Sequence, residues 1–353
     1  MPSPIKHIQK HLPPRTAALV ESPVNRRYLT GFVSSYGYLL ITSENALFLT
    51  DSRYIQAAQA AISACPVEET KPGRLKALCK QHRVKKIWLE GTATLERAQQ
   101  LQAQLPGVYV DLRGKRLSQL LNDLRTCKSP AEVEKITQAQ RIAEAAFEHI
   151  RTYIKPGLTE REIALELDYC MLRNGAEALS FETIIAAGQN GAKPHAVPGE
   201  YKLRRGDFIT LDFGAVVDGY HSDMTRTIAL GKPNEQQREI YELVLAAQLA
   251  ALARIKPGVT CKAVDKAARN VIEAAGFGDY FRHSTGHGVG LEIHEEPRLA
   301  ATSMQVLKPG MVVTVEPGIY LPEQCGLRIE DMVVITETGY ENLTKTTKEL
   351  IIL

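Results

Sequence analysis

Three short phrases occur twice in this chain of 353 residues, the second copy about a hundred positions after the first. "IKPGLT" at 154–159 returns as "IKPGVT" at 255–260, an offset of 101. "GDFITLD" at 206–212 returns as "GMVVTVE" at 310–316, and "HAVP" at 195–198 as "HEEP" at 294–297, offsets of 104 and 99. Small loop insertions leave this kind of drift in an old duplication. Solenoid units run about 20–50 residues, so the longer period implies two similar halves facing each other. Under that pairing Glu316 is the mate of Asp212 and His294 the mate of His195. Glu330 falls on the strand after Glu316, as Asp223 does after Asp212.

The stretch "LDFGAVVDGYHSDMTRT", 211–227, shows what each half offers. Asp218-Gly219 is a two-residue step of the kind that closes a β-hairpin, with apolar residues alternating on both sides. Closing there pairs Val217 with Tyr220 and sets Asp212 opposite Thr225. Asp212 and Asp223 then become diagonal neighbours, about 7 Å apart at the backbone, on a face shared with Thr210, His221 and Thr227. Ile209, Leu211, Phe213, Met224 and Ile228 turn the other way, toward a core. Two carboxylates on one face repel unless a cation joins them. Further on, "HSTGHGVGLEIHEEP" sets His283, His287 and His294 among glycines, which let an imidazole approach an interior ion. Four carboxylates and an imidazole suit a hard divalent ion such as Mn or Co better than a thiolate zinc site does. Four carboxylates can also bridge, which favours two metals about 3.5 Å apart.

Length makes two domains the prior expectation. Up to about residue 120, strand-like runs (37–42, 46–50, 86–89, 108–111) alternate with helical ones (54–64, 73–82, 94–105), the pattern of an α/β domain. A break near 122–128 follows. Ser129-Pro130-Ala131-Glu132 then opens a long helix with a capping box and Pro at its first position, and Pro156-Gly157 ends it. A net charge of +3 without basic runs gives no reason to expect nucleic acid. The apolar stretch 244–255 is too short to span a bilayer, and the N-terminus lacks the apolar core of a signal peptide. Six scattered cysteines read as reduced thiols in a cytoplasmic protein.

The order Asp, Asp eleven residues later, "GHG", "VEPG" and "RIED" resembles the dinuclear metallopeptidases of the pita-bread fold, which include methionine aminopeptidase, aminopeptidase P and prolidase. "NRRYLTGF" and "LFLTDSRY" resemble the creatinase-type domain of the Xaa-Pro peptidase branch. The resemblance implies an α/β creatinase-like N-terminal domain, residues 1–123. An α+β pita-bread catalytic domain with an internal pseudo-two-fold repeat, 124–353, would follow it. By the resemblance, Asp212, Asp223, His287, Glu316 and Glu330 are the metal ligands, holding two divalent ions, Mn2+ first, with Co2+ or Zn2+ as alternatives. Asp223 and Glu330 would bridge, with Asp212 on one ion and His287 and Glu316 on the other. A water between two such ions loses a proton near neutral pH and becomes a nucleophile. Glu316 would move protons, while His195 and His294 would hold the substrate carbonyl and oxyanion.

The implied activity is cleavage of the Xaa-Pro bond of peptides or dipeptides, by a cytoplasmic homodimer without nucleic-acid or membrane partners. A methionine aminopeptidase-like enzyme and a non-enzymatic binding protein on the same scaffold are the alternatives. Arg298 is the candidate clamp for a substrate carboxylate, against the plainer reading that it pairs with Glu295 or Glu296. Arg328 either orients Glu330 or pairs with a carboxylate. His221 and His283 are read equally well as supporting or structural residues and as substrate contacts.

Overall fold

In the computed structural model, which describes residues 3–353, the chain divides into two compact units, one ending at Arg125 and one running from Thr126 to Leu353. The first is built on a six-stranded mixed sheet whose middle holds Thr16–Val20, antiparallel to Tyr38–Ile41 and parallel to Lys86–Leu89. Alternation does not reveal Thr16–Val20. All five of its residues are buried, with Ala17 and Leu19 packed in one apolar cluster and Ala18 and Val20 in the other. A strand covered on both faces carries no polar alternation. The two units divide within the expected break at 122–128. Helix Lys115–Thr126 nonetheless reaches into its first part, with Leu117 and Leu121, one turn apart, fully buried, and the chain leaves the helix only at Cys127.

The second unit opens with helix Pro130–Tyr153, capped as its sequence requires. The Ser129 side chain accepts from the Glu132 N–H and Glu132 accepts from the Ser129 N–H. The repeated phrases do the same structural work in both halves. Ile154 and Ile255 end a long helix in extended conformation, Gly157 and Gly258 turn at φ 93° and 86°, and Thr159 and Thr260 cap the next helix. Gly206 and Gly310 then turn at φ 98° and 85° before strands Phe208–Phe213 and Val312–Val315. Such angles favour glycine. Apolar residues from the two helix pairs and the two sheets fill two separate clusters.

The hairpin of the first half has the register read from its sequence. Val217 faces Tyr220 and Asp212 faces Thr225, with positive φ at both Asp218 and Gly219. Ile209, Leu211, Phe213, Met224 and Ile228 lie in the core. The ribbon is broken at Gly214, however, where an added Cβ would stand 2.0 Å from the Ser222 carbonyl oxygen. The tip, Ala215–Val217 with Tyr220–His221, pairs instead with Ala178–Leu179. His221 therefore leaves the acid face, and its Nδ1 lies 2.8 Å from Ser180 Oγ. The second half is interrupted in the same way. Val315 faces Asp331, a separate ribbon (Gly318–Leu321 with Cys325–Arg328) forms the tip, and Glu316 and Glu330 sit in the gap between them.

Candidate metal centre

Three of the four acids, Asp223, Glu316 and Glu330, lie at the breaks in the two ribbons, while Asp212 sits within its strand opposite Thr225. A strand residue inside a ladder points squarely to one face, whereas a residue at a break can turn its carboxylate into the space between the halves. One cavity of about 610 Å³ is lined by Asp212, Asp223, His287, Glu316 and Glu330, and also by His195, His294 and Arg298. Oxygens of Asp223 and Glu330 and a ring nitrogen of His287 all lie within 4.8 Å of one another. His287 Nε2 is 3.5 Å from Asp223 Oδ2 and 3.4 Å from Glu316 Oε1. Its Nδ1 is 3.1 Å from the Gly288 carbonyl oxygen, so a proton on Nδ1 leaves the Nε2 lone pair facing the carboxylates. Gly286 and Gly288 permit this approach. A Cβ on Gly286 would stand 2.0 Å from the Thr314 carbonyl oxygen, and one on Gly288 2.3 Å from that of Glu296.

These acids do not sit comfortably together. Burial pushes the Asp223 carboxyl well above the ordinary range, with Glu330, Asp212 and Glu316 pushing the same way. Glu330 is also raised well above it, by burial and then by Glu316 and Asp212. Burial raises Glu316 against the pull of His283 and Arg328, and lowers the His287 imidazole. Asp212 Oδ1 and Glu330 Oε1 are buried without a hydrogen-bond partner. Buried like charges and orphaned acceptors, with an imidazole lone pair turned toward them, fit a divalent cation.

Arg328 pairs with a carboxylate, that of Asp212, and its Nη1 donates to Tyr320 Oη at 2.6 Å. His283 Nε2 is 3.0 Å from the same Tyr320 oxygen, which makes it a neighbour of the network; its ring also lines the cavity. Glu295 pairs with Lys128 at 3.1 Å. Sequence reasoning passed over two threonines. Thr225 donates to Glu330 Oε2 at 2.7 Å, and Thr314 donates to Glu316 Oε1 at 3.1 Å. The available signal was strand position, since Thr225 faces Asp212 across the ribbon and Thr314 lies two residues before Glu316. Phe181 gives the cavity apolar wall and belongs to no motif, and Ile293 beside it was quoted only as the neighbour of His294.

Comparison with known proteins agrees with this architecture. Residues 134–337 match Metallopeptidase family M24, and residues 15–127 match the Creatinase/Prolidase N-terminal domain. A Xaa-Pro dipeptidase of Pyrococcus horikoshii is 42% identical over 95% of this chain and 94% of its own. The structure of a Xaa-Pro dipeptidase from Bacillus anthracis superposes with a TM-score of 0.95 at 39% identity, covering 99% of both chains. That of an X-Pro aminopeptidase from Thermotoga maritima superposes with a TM-score of 0.90 at 35% identity, over 98% of this chain and all of the other. No helix among the described residues is long and apolar enough to cross a membrane. The M24 match spans more than half of the chain and contains every acid and histidine of the cluster, so the chain belongs to metallopeptidase family M24.

Proposed function

We propose that the protein is a metal-dependent exopeptidase that hydrolyses the bond before proline in dipeptides or at the N-terminus of peptides. The observation that carries this reading is the convergence of Asp223, His287 and Glu330 within 4.8 Å in a cavity also lined by His195, His294 and Arg298. The match to the Creatinase/Prolidase N-terminal domain supports the Xaa-Pro reading over a methionine aminopeptidase. An intact set of five ligand-type residues argues against a binding protein without activity. We assign residues 1–123 to the N-terminal domain and 124–353 to the catalytic one.

Asp212, Asp223, His287, Glu316 and Glu330 would hold two divalent ions. The oxygen-rich set favours Mn2+. When bound, such ions acidify a water and polarise the carbonyl beside it. The chain does the rest. Glu316, whose carboxyl burial raises above its ordinary range, would hold a proton and deliver it to the leaving proline nitrogen. Burial and the nearby His287 lower the His294 pKa, so at neutral pH its imidazole is an uncharged N–H donor for the substrate oxygen, with His195 beside it. Phe181, Pro194, Val197 and Ile293 give the cavity an apolar wall suited to a pyrrolidine ring, which has no N–H to grip.

Six free cysteines accord with a reducing cytoplasm. The reading includes a homodimer, which sedimentation of the purified protein tests. Activity is tested by offering metal-loaded protein Xaa-Pro, Xaa-Pro-Yaa and Xaa-Ala peptides of matched sequence. Release of Xaa from the first two only is expected. Equal cleavage of Xaa-Ala would contradict the assignment.

A further inference from the structure

Glu160 has no part in the chemistry above, yet it is a fully buried carboxylate at the first turn of helix Glu160–Arg173. Among the described residues no Lys or Arg pairs with it. Its charge is met by N–H groups of a single segment. Oε1 accepts from the Ala187 N–H at 2.7 Å, and Oε2 from the Gly199 N–H at 3.0 Å. The Asn190 side-chain amide donates to both oxygens, at 3.1 and 3.0 Å. Burying an unpaired carboxylate is costly, and only such charge-assisted bonds offset the cost. The two backbone donors are the two ends of one loop. Ala187 ends strand Ile184–Ala187, Gly199 lies twelve residues on, and His195 projects between them into the cavity.

The internal repeat supplies a control for whether the fold itself needs an acid there. The position related to Glu160 is Cys261, which is equally buried and likewise opens a helix after a capping threonine. A small apolar side chain therefore suffices for the helix start. The acid is found only in the half where the histidine sits on a long irregular loop; in the other half "HEEP" runs straight into strand Glu295–Leu299.

We propose that Glu160 is a positioning residue for His195, tying both ends of its loop so that the imidazole is held at a fixed place in the cavity. This rests on the role given to His195 above. Glu160→Gln keeps the shape but turns an amide NH2 toward an N–H donor, loosening one end of the loop. The test uses intact protein loaded with zinc, a diamagnetic ion, and labelled at its histidines. In Glu160→Gln the His195 imidazole signals should shift or broaden while those of His287 stay in place. kcat/KM for a Xaa-Pro dipeptide should fall about ten- to a hundredfold, mainly in kcat, with metal content unchanged. In a His195→Ala background the same change should cost less than about twofold. Should Glu160→Gln fail to fold, Asn190→Ala removes the side-chain donor alone and should show a smaller effect of the same pattern. Unmoved His195 signals, or a loss fully additive with His195→Ala, would overturn the proposal. A His195→Ala enzyme as fast as wild type would instead remove His195 from the proposed reaction, leaving the resonance shift to decide the tie.

Discussion

Residue by residue, the site is a set of groups that need a cation and a set that needs a substrate. Asp223 and Glu330 belong to the first. In the metal-free chain burial and mutual repulsion raise their carboxyl pKa values, so the folded state keeps protons that the unfolded chain gives up near pH 4. That stabilising contribution is complete below about pH 4 and is lost as pH rises through the raised values. A divalent ion takes the protons' place, so its stabilising effect must grow with pH. Melting curves of stripped and loaded protein at about pH 5 and about pH 8 should show a larger metal-induced rise in Tm at the higher pH; a rise independent of pH would contradict this. His294 belongs to the second set. His294→Ala should lower kcat by about 10²-fold or more with metal content intact, and a variant that loses metal would instead make His294 a ligand. Arg298, which lines the cavity, is the proposed clamp, and substrate length tests it. If it clamps the free carboxylate of a dipeptide, Arg298→Ala should raise KM for Xaa-Pro about ten- to a hundredfold and leave Xaa-Pro-Yaa nearly untouched. Equal effects on both would leave Arg298 without that role.

Among the elements, the two broken ribbons show what could and could not be read from sequence. The Asp218-Gly219 turn and the alternation around it carried the register, because a one-residue slip would expose the whole apolar face. The break at Gly214 was not legible, since only the approach of the Ser222 carbonyl demands glycine there. Thr16–Val20 was missed because a strand buried on both faces has no alternation to detect. Arg226 is the clearest case. Binary patterning puts it on the apolar face between Met224 and Ile228, where an arginine makes no sense until its partners are known. It is almost fully buried, donates to the Thr346 and Thr347 carbonyls at 2.8 and 2.9 Å, and pairs with Asp331 at 2.8 Å. Burial works to raise the Asp331 pKa, but Arg226 and Lys348 together hold it low. The guanidinium thus ties the C-terminal segment to the strand that begins beside Glu330. Arg226→Leu should cost about 3–5 kcal/mol by leaving Asp331 with a weakened partner set and the two carbonyls bare. Urea unfolding measures this, and a loss under about 1 kcal/mol would show that the C-terminal segment is held elsewhere.

For the whole molecule, the internal duplication is what made the site legible. A single acid on a strand carries almost no information; acids at matched places in two repeats, each near a histidine, point to one interior site. The cavity that those repeats enclose is lined by Asp212, Asp223, His287, Glu316 and Glu330 with His195, His294 and Arg298, but not by His221, while Phe181 in its apolar wall lies outside every repeated phrase. The central claim is that this site cuts Xaa-Pro bonds only when it holds divalent metal. Chelator-stripped protein titrated with Mn2+ tests it most directly, following proline release from a Xaa-Pro dipeptide and bound metal in the same samples, with Asp223→Asn alongside. Stripped protein should release no proline, recovery should saturate as two ions per chain are bound, and the variant should reach neither full metal loading nor activity. Proline release by metal-free protein, or none from protein carrying its full complement of metal, would contradict it.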